Sequence, residues 1–343
     1  MSQTSSTRET GAVIIPSRGF SESLVDCLTS LLDQSVTADW AWEKVYVIWN
    51  CKPSEAQEST KRLDSWQKSK WDSPVVIHSQ VEHHIGIPYA RNMALNIALE
   101  NGLDWFVFID DDCIAKRGWL LELSEVAKES GAEVVAGGWT IQPRGEWSSW
   151  LPAGVFGTKN YILGARIASD GDTLPTAYTR NVLVRTSALS LLRSGPVRFD
   201  ESLARKGGSD VVFFSQLCHA GARIVYAKNA VVDEIYRAER LSLHWNVKRR
   251  IRNTQLALSR SGSTGERNAL RGRVNIRELR LLFRVPASTL LMPGSIFSAR
   301  VRRFIGTTLL HSAPYIGALL HILLISFEEY SDRFAFRKLP KRH

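Results

Sequence analysis

Through its first 235 residues the chain alternates short apolar runs with stretches whose apolar positions recur every three to four residues. Runs of the first kind read as buried strands and stretches of the second as amphipathic helices. Their alternation predicts an α/β layered fold. Residues 11–19, GAVIIPSRG, form a strand running into a Pro/Gly turn, and a helix follows from Ser21 to Leu32. KVYVIWN (44–50) and PVVIH (74–78) are the second and third strands. Pro88 to Leu99 is a helix, with Pro88 suited to its first position. DWFVFIDDD (104–112) is a fourth strand ending in acid, WLLELSEVAKES (119–130) the next helix, and AEVVAGGW (132–139) a fifth strand. Strands joined through helices pair mostly in parallel, and ligands of such sheets bind beyond the carboxyl ends of the strands.

The pattern weakens between Gln142 and Pro175, where Trp147, Trp150, Gly154 and Gly157 suggest a long loop. YTRNVLVRTSAL (178–189) returns as a strand, a helix opens near Ser209, and RIVYAKNAVVDEIY (223–236) supplies one or two closing strands. Past residue 237 the chain turns helical and Arg-rich. This divides it into a polar tail (1–10), an α/β body (11–236) and a basic helical region (237–343). Within the last, residues 304–327 contain no Asp, Glu, Lys or Arg. That length suits a bilayer span, but Pro314 and two histidines interrupt it and both flanks are positive, unlike a single crossing. An interfacial or re-entrant helical pair and a core-docked helix are the other readings.

Composition adds little to the fold and more to the location. At 343 residues, 44% hydrophobic and 23% charged, the chain is an ordinary folded protein with a sizeable core. Its four cysteines lie far apart without a CxxC, which argues against a disulfide framework or zinc finger and fits a reducing compartment. The polar opening MSQTSSTRET predicts no secretory signal peptide. The net charge of +10 is concentrated: residues 237–303 alone carry +13, so the remainder sums to −3. The body is not generally basic, and no nucleic-acid partner is expected.

Three features carry chemistry. Asp110, Asp111 and Asp112 end an apolar strand, where alternation places Asp110 and Asp112 on one face and Asp111 on the other. Paired carboxylates suit a hard divalent cation such as Mg²⁺ or Mn²⁺ shared with a substrate phosphate; an acidic turn capping the next helix is the plainer reading. Gly207-Gly208-Ser209-Asp210 places an Asp in the first turn of a helix, where the helix dipole alone favours it. Gly86-Ile87-Pro88-Tyr89-Ala90-Arg91 presents free backbone N–H groups and a guanidinium to an anion, or simply a surface arginine.

Taken in order, these motifs make the chain resemble the family 2 glycosyltransferases, inverting enzymes with the GT-A nucleotide-sugar fold. The resemblance covers residues 11–255: IIPSRG, GIPYARNMAL, FVFIDDDC with WLLEL, RFDESLARKGGSD with FF, and VVDEIYRAERLS. It implies that Asp110 lies near the ribose and metal, that Asp112 ligates Mn²⁺ or Mg²⁺, and that Asp210 is the general base. Pro16, Arg18, Asn50, Arg91 and Asp111 would line the nucleotide, and Glu234, Arg240, Arg249, Arg252 and Trp139 the diphosphate or acceptor. The implied donor is a nucleotide-diphosphate sugar, with UDP first in line, and the implied acceptor a polyprenyl-diphosphate-linked glycan in bacterial polysaccharide biosynthesis. The basic segment would then meet an anionic membrane surface, peripheral or re-entrant, at the cytoplasmic face of the inner membrane.

Two positions depart from the family pattern. Asn50 stands where an Asp usually holds the base, and Ser209 where a Glu usually precedes the catalytic Asp. Competing readings are a non-catalytic polyanion- or membrane-binding protein using residues 237–303, and a nucleotidyltransferase, for which IIPSRGFSES is a poor phosphate loop. Trp139, like Trp147 and Trp150, suits either a sugar face or plain packing.

Overall fold

A computed structural model describes residues 8–38, 40–70, 74–152, 157–159, 162–163, 166–192, 195–204, 207–256, 258, 298–322, 325–327 and 336–338. These divide into two units. The first comprises residues 1–141, 158–204 and 208–235, the second residues 142–157, 205–207 and 236–343.

The first unit is built on strands β1 (Glu9–Ser17), β2 (Trp40–Trp49), β3 (Val76–Val81), β4 (Trp105–Ile109) and β5 (Cys113–Ala115). Short strands β7 (Gly157–Lys159), β8 (Ile162–Leu163) and β9 (Arg166–Ile167) follow β6 (Val134–Arg144). They fall where the sequence suggested only loop. Strands β10 (Asn181–Arg185) and β11 (Ile224–Arg237) complete the main sheet, in the order β3-β2-β1-β4-β10-β6-β11-β5 with β7 beside β6. Helices α1 (Glu22–Leu31), α2 (Pro53–Lys68), α3 (Ile87–Glu100), α4 (Trp119–Ser130) and α5 (Ser209–His219) flank it. Two apolar layers form on its faces, one around Val13, Val47, Val107 and Trp119, the other around Ile14, Phe106, Phe108 and Phe213.

The pairing is mixed rather than mostly parallel. Strands β3, β2, β1 and β4 are parallel neighbours, but β10 runs antiparallel to both β4 and β6, and β5 runs antiparallel to β11. The parallel half has the helical crossovers that such pairing requires, whereas β4 connects to β5 through three residues only. That tight turn carries the acid triplet from β4 toward the β11 edge of the sheet.

Helix α2 has no counterpart in the apolar pattern. Its inner face is a narrow stripe of Ala56, Ser59 and Leu63, and the rest of KPSEAQESTKRLDSWQK is polar. Pro53 in its first turn and Glu55 accepting from the Lys52 backbone N–H start it instead.

In the second unit, residues 243–256 form helix α6 and Ala299–Ile322 form α7. Strands β12 (Ile325–Phe327) and β13 (Phe336–Lys338) pair antiparallel. Gly306 and Gly317 of α7 approach the backbone at Trp150 and Ile251 so closely that a Cβ would collide. Arg302 donates to Ser149 Oγ at 2.9 Å. α7 is therefore a docked helix that carries Pro314 internally, and among the described residues no helix is long and apolar enough to cross a membrane. Residues 323, 324 and 328–335 of the apolar stretch and its flank lie outside the described residues, as does most of the basic segment between 259 and 297.

Candidate active site

The carboxyl end of β1 turns at Ser17, whose buried hydroxyl donates to Asp111 Oδ2 at 2.6 Å. This ties the first strand's end to the acid turn. Pro16 remains within β1 opposite Ile48, and Arg18 beyond it is exposed.

Asn50 follows β2 and is 6% exposed. Its Nδ2 donates to the His84 carbonyl at 2.8 Å and the Glu82 carbonyl at 3.4 Å, while its Oδ1 accepts from Gly86 N–H at 2.8 Å. The side chain organises the loop ahead of α3, and a carboxylate could not make the two donations. Gly86 has φ +147°, and a side chain there would strike Ala204, so this loop admits only glycine.

Strand β4 stops at Ile109, so the triplet lies in a turn and the expected face alternation does not apply. Each acid has its own setting. The crowded protein around Asp110 pushes its carboxyl up from the ordinary range. Arg91 and then Arg180 pull it down, and Glu234 and Asp210 push it further up. Asp111 is held by Ser17. Asp112 Oδ1 accepts from Cys113 Sγ at 3.9 Å, and its carbonyl accepts from Ile235 N–H at 2.8 Å. Burial holds the Cys113 and Cys27 thiols well above their usual range, with the neighbouring aspartates adding to it.

Two elements bring further charge to the turn. Arg91, in the first turns of α3 and 7% exposed, donates from Nη1 to Ser209 Oγ at 3.0 Å, and Ser209 is itself fully buried. Gly208 caps α5 in the left-handed region at φ +76°, which sets Ser209 and Asp210 at the helix start. On the other side, β10 pairs Asn181 with Ile109, so Arg180 stands one step on, beside Asp110. Arg180 forms a short ion pair with Glu234, whose strand register sets it opposite Cys113. Arg180 and Ser17 are site residues that carry no signal in the sequence.

The sequence comparisons decide the class. The profile of Glycosyl transferase family 2 matches residues 12–192, more than half of the chain.

The chain belongs to glycosyl transferase family 2.

It is 31% identical over 252 residues to the succinoglycan biosynthesis protein ExoM of Rhizobium meliloti (strain 1021), covering 73% of this chain and 75% of that protein. Two solved structures are similar. One is GalNAc-T7 with UDP, GalNAc and Mn²⁺, at 16% identity and TM-score 0.48, covering 67% of this chain and 44% of that one. The other is S. aureus TarS, at 14% and 0.48, covering 96% of this chain and 59% of that one. The chain thus spans less than two thirds of either structure's length. Family membership makes the protein a glycosyltransferase, and the non-catalytic and nucleotidyltransferase readings fall with it.

In this transferase Arg91, Arg180, Glu234 and Asp210 each lie within electrostatic reach of Asp110. The Arg180 guanidinium lies over the Trp139 ring at 4.7 Å. Arg240, Arg249 and Arg252 belong to the second unit. There Arg240 lies over the Tyr236 and Trp245 rings at 5.4 and 5.9 Å, Arg249 over Trp245 at 4.9 Å, and Arg252 is buried with Nη2 donating to Asn253 Oδ1 at 3.0 Å. Among the described residues no three His, Cys, Asp or Glu side chains cluster as a self-sufficient metal cage. One or two carboxylates, here Asp112 and Asp110, still suit Mg²⁺ or Mn²⁺, which keep water and substrate phosphate as further ligands.

Proposed function

We propose that this glycosyltransferase moves a sugar, with inversion, from a nucleoside-diphosphate sugar, first of all a UDP-sugar, to a hydroxyl of a glycan acceptor in bacterial exopolysaccharide assembly. The observation that supports the mechanism is the start of α5, where Asp210 follows Ser209, whose hydroxyl accepts from Arg91, and lies within electrostatic reach of Asp110. The exopolysaccharide setting rests on the likeness to the succinoglycan biosynthesis protein.

The parallel half of the sheet ends at Ser17, Asn50 and the start of α3, the place where such sheets take a nucleotide. Asp112 and Asp110 would hold a divalent cation, Mn²⁺ or Mg²⁺, which supplies charge neutralisation for the departing diphosphate. Asp210 takes the proton of the acceptor hydroxyl. The oxygen attacks the anomeric carbon from the face opposite the diphosphate, the glycosidic C–O bond to phosphate breaks, and the configuration inverts. Arg91 and Arg180 counter part of the upward push that burial and the neighbouring carboxylates exert on Asp110.

The test is nucleotide release from UDP-, GDP- and dTDP-sugars with Mn²⁺ or Mg²⁺. Asp210→Asn removes the base and should lower turnover about 10²–10⁴-fold with nucleotide binding retained. Asp112→Asn and chelation should both abolish metal-dependent nucleotide binding. Near-normal turnover in Asp210→Asn would sink the assignment.

The acceptor in this reading is polyprenyl-diphosphate-linked, and the protein attaches peripherally to the cytoplasmic face of the inner membrane. Two observations favour the attachment, while the lipid linkage rests on the family resemblance: the +13 balance of residues 237–303, and Leu309, Ile316 and Leu319 of α7, which are 37%, 43% and 57% exposed at helical spacing.

A further inference from the structure

The first turn of α5 is not fixed by its own sequence. Gly207 and Gly208 both take left-handed φ values, +74° and +76°, so the turn ahead of the helix offers no side chain to cap it. The bond that opens the helix, from Val212 N–H to the Gly208 carbonyl, is long at 3.4 Å. The Asp210 carboxylate accepts from the adjacent Val211 N–H at 2.9 Å, which ties it to the same turn and to nothing more rigid.

The hold comes from α3. Arg91 Nη1 donates to Ser209 Oγ at 3.0 Å, and the guanidinium lies 5.6 Å from the centroid of the Phe199 ring. Phe199 in turn stacks on Phe213 of α5, with centroids 4.0 Å apart and planes 12° off parallel. Asn92, the next residue of α3, clamps the Phe199 backbone: its Oδ1 accepts from Phe199 N–H at 2.8 Å and its Nδ2 donates to the Phe199 carbonyl at 3.0 Å. Ser209 and Phe213 are four residues apart, so both contacts fall on one face of α5, one turn from each other. Two contacts a turn apart fix the rotation of a helix as well as its position. Asp210 stands about 100° round from Ser209 and takes its place from that rotation.

Arg91 itself is 7% exposed, and its buried Nε has no hydrogen-bond partner. A guanidinium enclosed with one N–H unmet costs stability, so stability does not account for its place here. We propose that Arg91 is a positioning residue for the transfer reaction. Acting through Ser209 and Phe199, it sets the first turn of α5, and with it the Asp210 carboxylate, instead of binding the nucleotide. Ser209 thereby belongs to the brace and not to the acceptor site. The inference rests on the transferase reading above, in which Asp210 is the base.

The experiment uses the full chain and two variants that keep a cation at position 91, Ser209→Ala and Arg91→Lys. Each should lower the kcat of nucleotide release about tenfold or more and leave the Kd of UDP with Mn²⁺, read by calorimetry, within about twofold of wild type. Because the loss acts through Asp210, Ser209→Ala should add less than about twofold to Asp210→Asn. Hydrogen exchange of the free protein is the second measurement. In both variants the amides of Val212 and Phe213 should exchange about tenfold faster, with β4 unchanged. Turnover within about twofold of wild type in Ser209→Ala, a Kd weakened as much as turnover in Arg91→Lys, full additivity with Asp210→Asn, or unchanged exchange in α5 would each overturn the brace. Near-normal turnover in Asp210→Asn, or none in the wild type, strikes the base reading instead, and the exchange then judges the brace by itself.

Discussion

The chemistry of single side chains explains why two departures from the family pattern are compatible with a formed site. An aspartate at position 50 would accept from Gly86 N–H but would set its charge against the carbonyls of Glu82 and His84. The amide satisfies all three groups. Asn50→Asp should therefore destabilise the protein by about 1–3 kcal/mol in urea unfolding. It should weaken every nucleotide alike, because the loop and not the base contact is lost. A selective gain for one base would show instead that position 50 reads the base. Ser209 is the second departure. Its small buried hydroxyl accepts from Arg91, so Arg91 retains a bonded partner while its charge acts on Asp110.

Secondary-structure elements show where sequence reading succeeds and where it stops. Strands β1, β2 and β4 are dense apolar runs, and α3, α4 and α5 carry start signals in Pro88, Gly118 and Gly208, so these were legible. The direction of β10 was not, because alternation encodes which residues face inward and not which way a strand runs. Arg180 and Ser17 escaped notice for the same reason. Their importance comes from register with residues 70 and 94 positions away, and a lone Arg or Ser has no local signature. The Asn181 clasp is the element-scale device that converts register into a site: its Nδ2 donates to the Gly138 carbonyl on β6 at 2.7 Å and to the Ala230 carbonyl on β11 at 2.8 Å, while its Oδ1 accepts from Trp119 Nε1 at 2.8 Å. Asn181→Leu removes three buried hydrogen bonds and orphans the Trp119 indole N–H and two carbonyls. It should cost at least about 3 kcal/mol in urea unfolding at about 1 kcal/mol per bond. Gly137→Ala should cost a similar amount, since a Cβ there would collide with the Asn181 amide and the Ala230 carbonyl. A loss below about 1 kcal/mol in both variants would show that the strands hold their register without the clasp.

At the scale of the whole molecule, charge is partitioned along the chain and not spread over it. A body summing to −3 and a segment at +13 give a molecule that an anionic surface attracts by one region only. Attraction of this kind contributes about 1 kcal/mol for each Lys or Arg near the surface and falls off within about 10 Å at 0.1 M salt. It is therefore reversible, and stable attachment takes a second, apolar contribution. The exposed Leu309, Ile316 and Leu319 of α7 offer one that salt does not screen. The two contributions separate in flotation with vesicles containing anionic lipid. At low salt the wild type should float, and raising salt should release part of it. Leu309→Glu with Ile316→Glu should leave binding that salt abolishes completely. Neutral vesicles should capture only the salt-resistant part of the wild type and little of the double variant. If all of the protein stays soluble with anionic vesicles at low salt, peripheral docking is refuted, and a freely diffusing acceptor would have to replace the lipid-linked one.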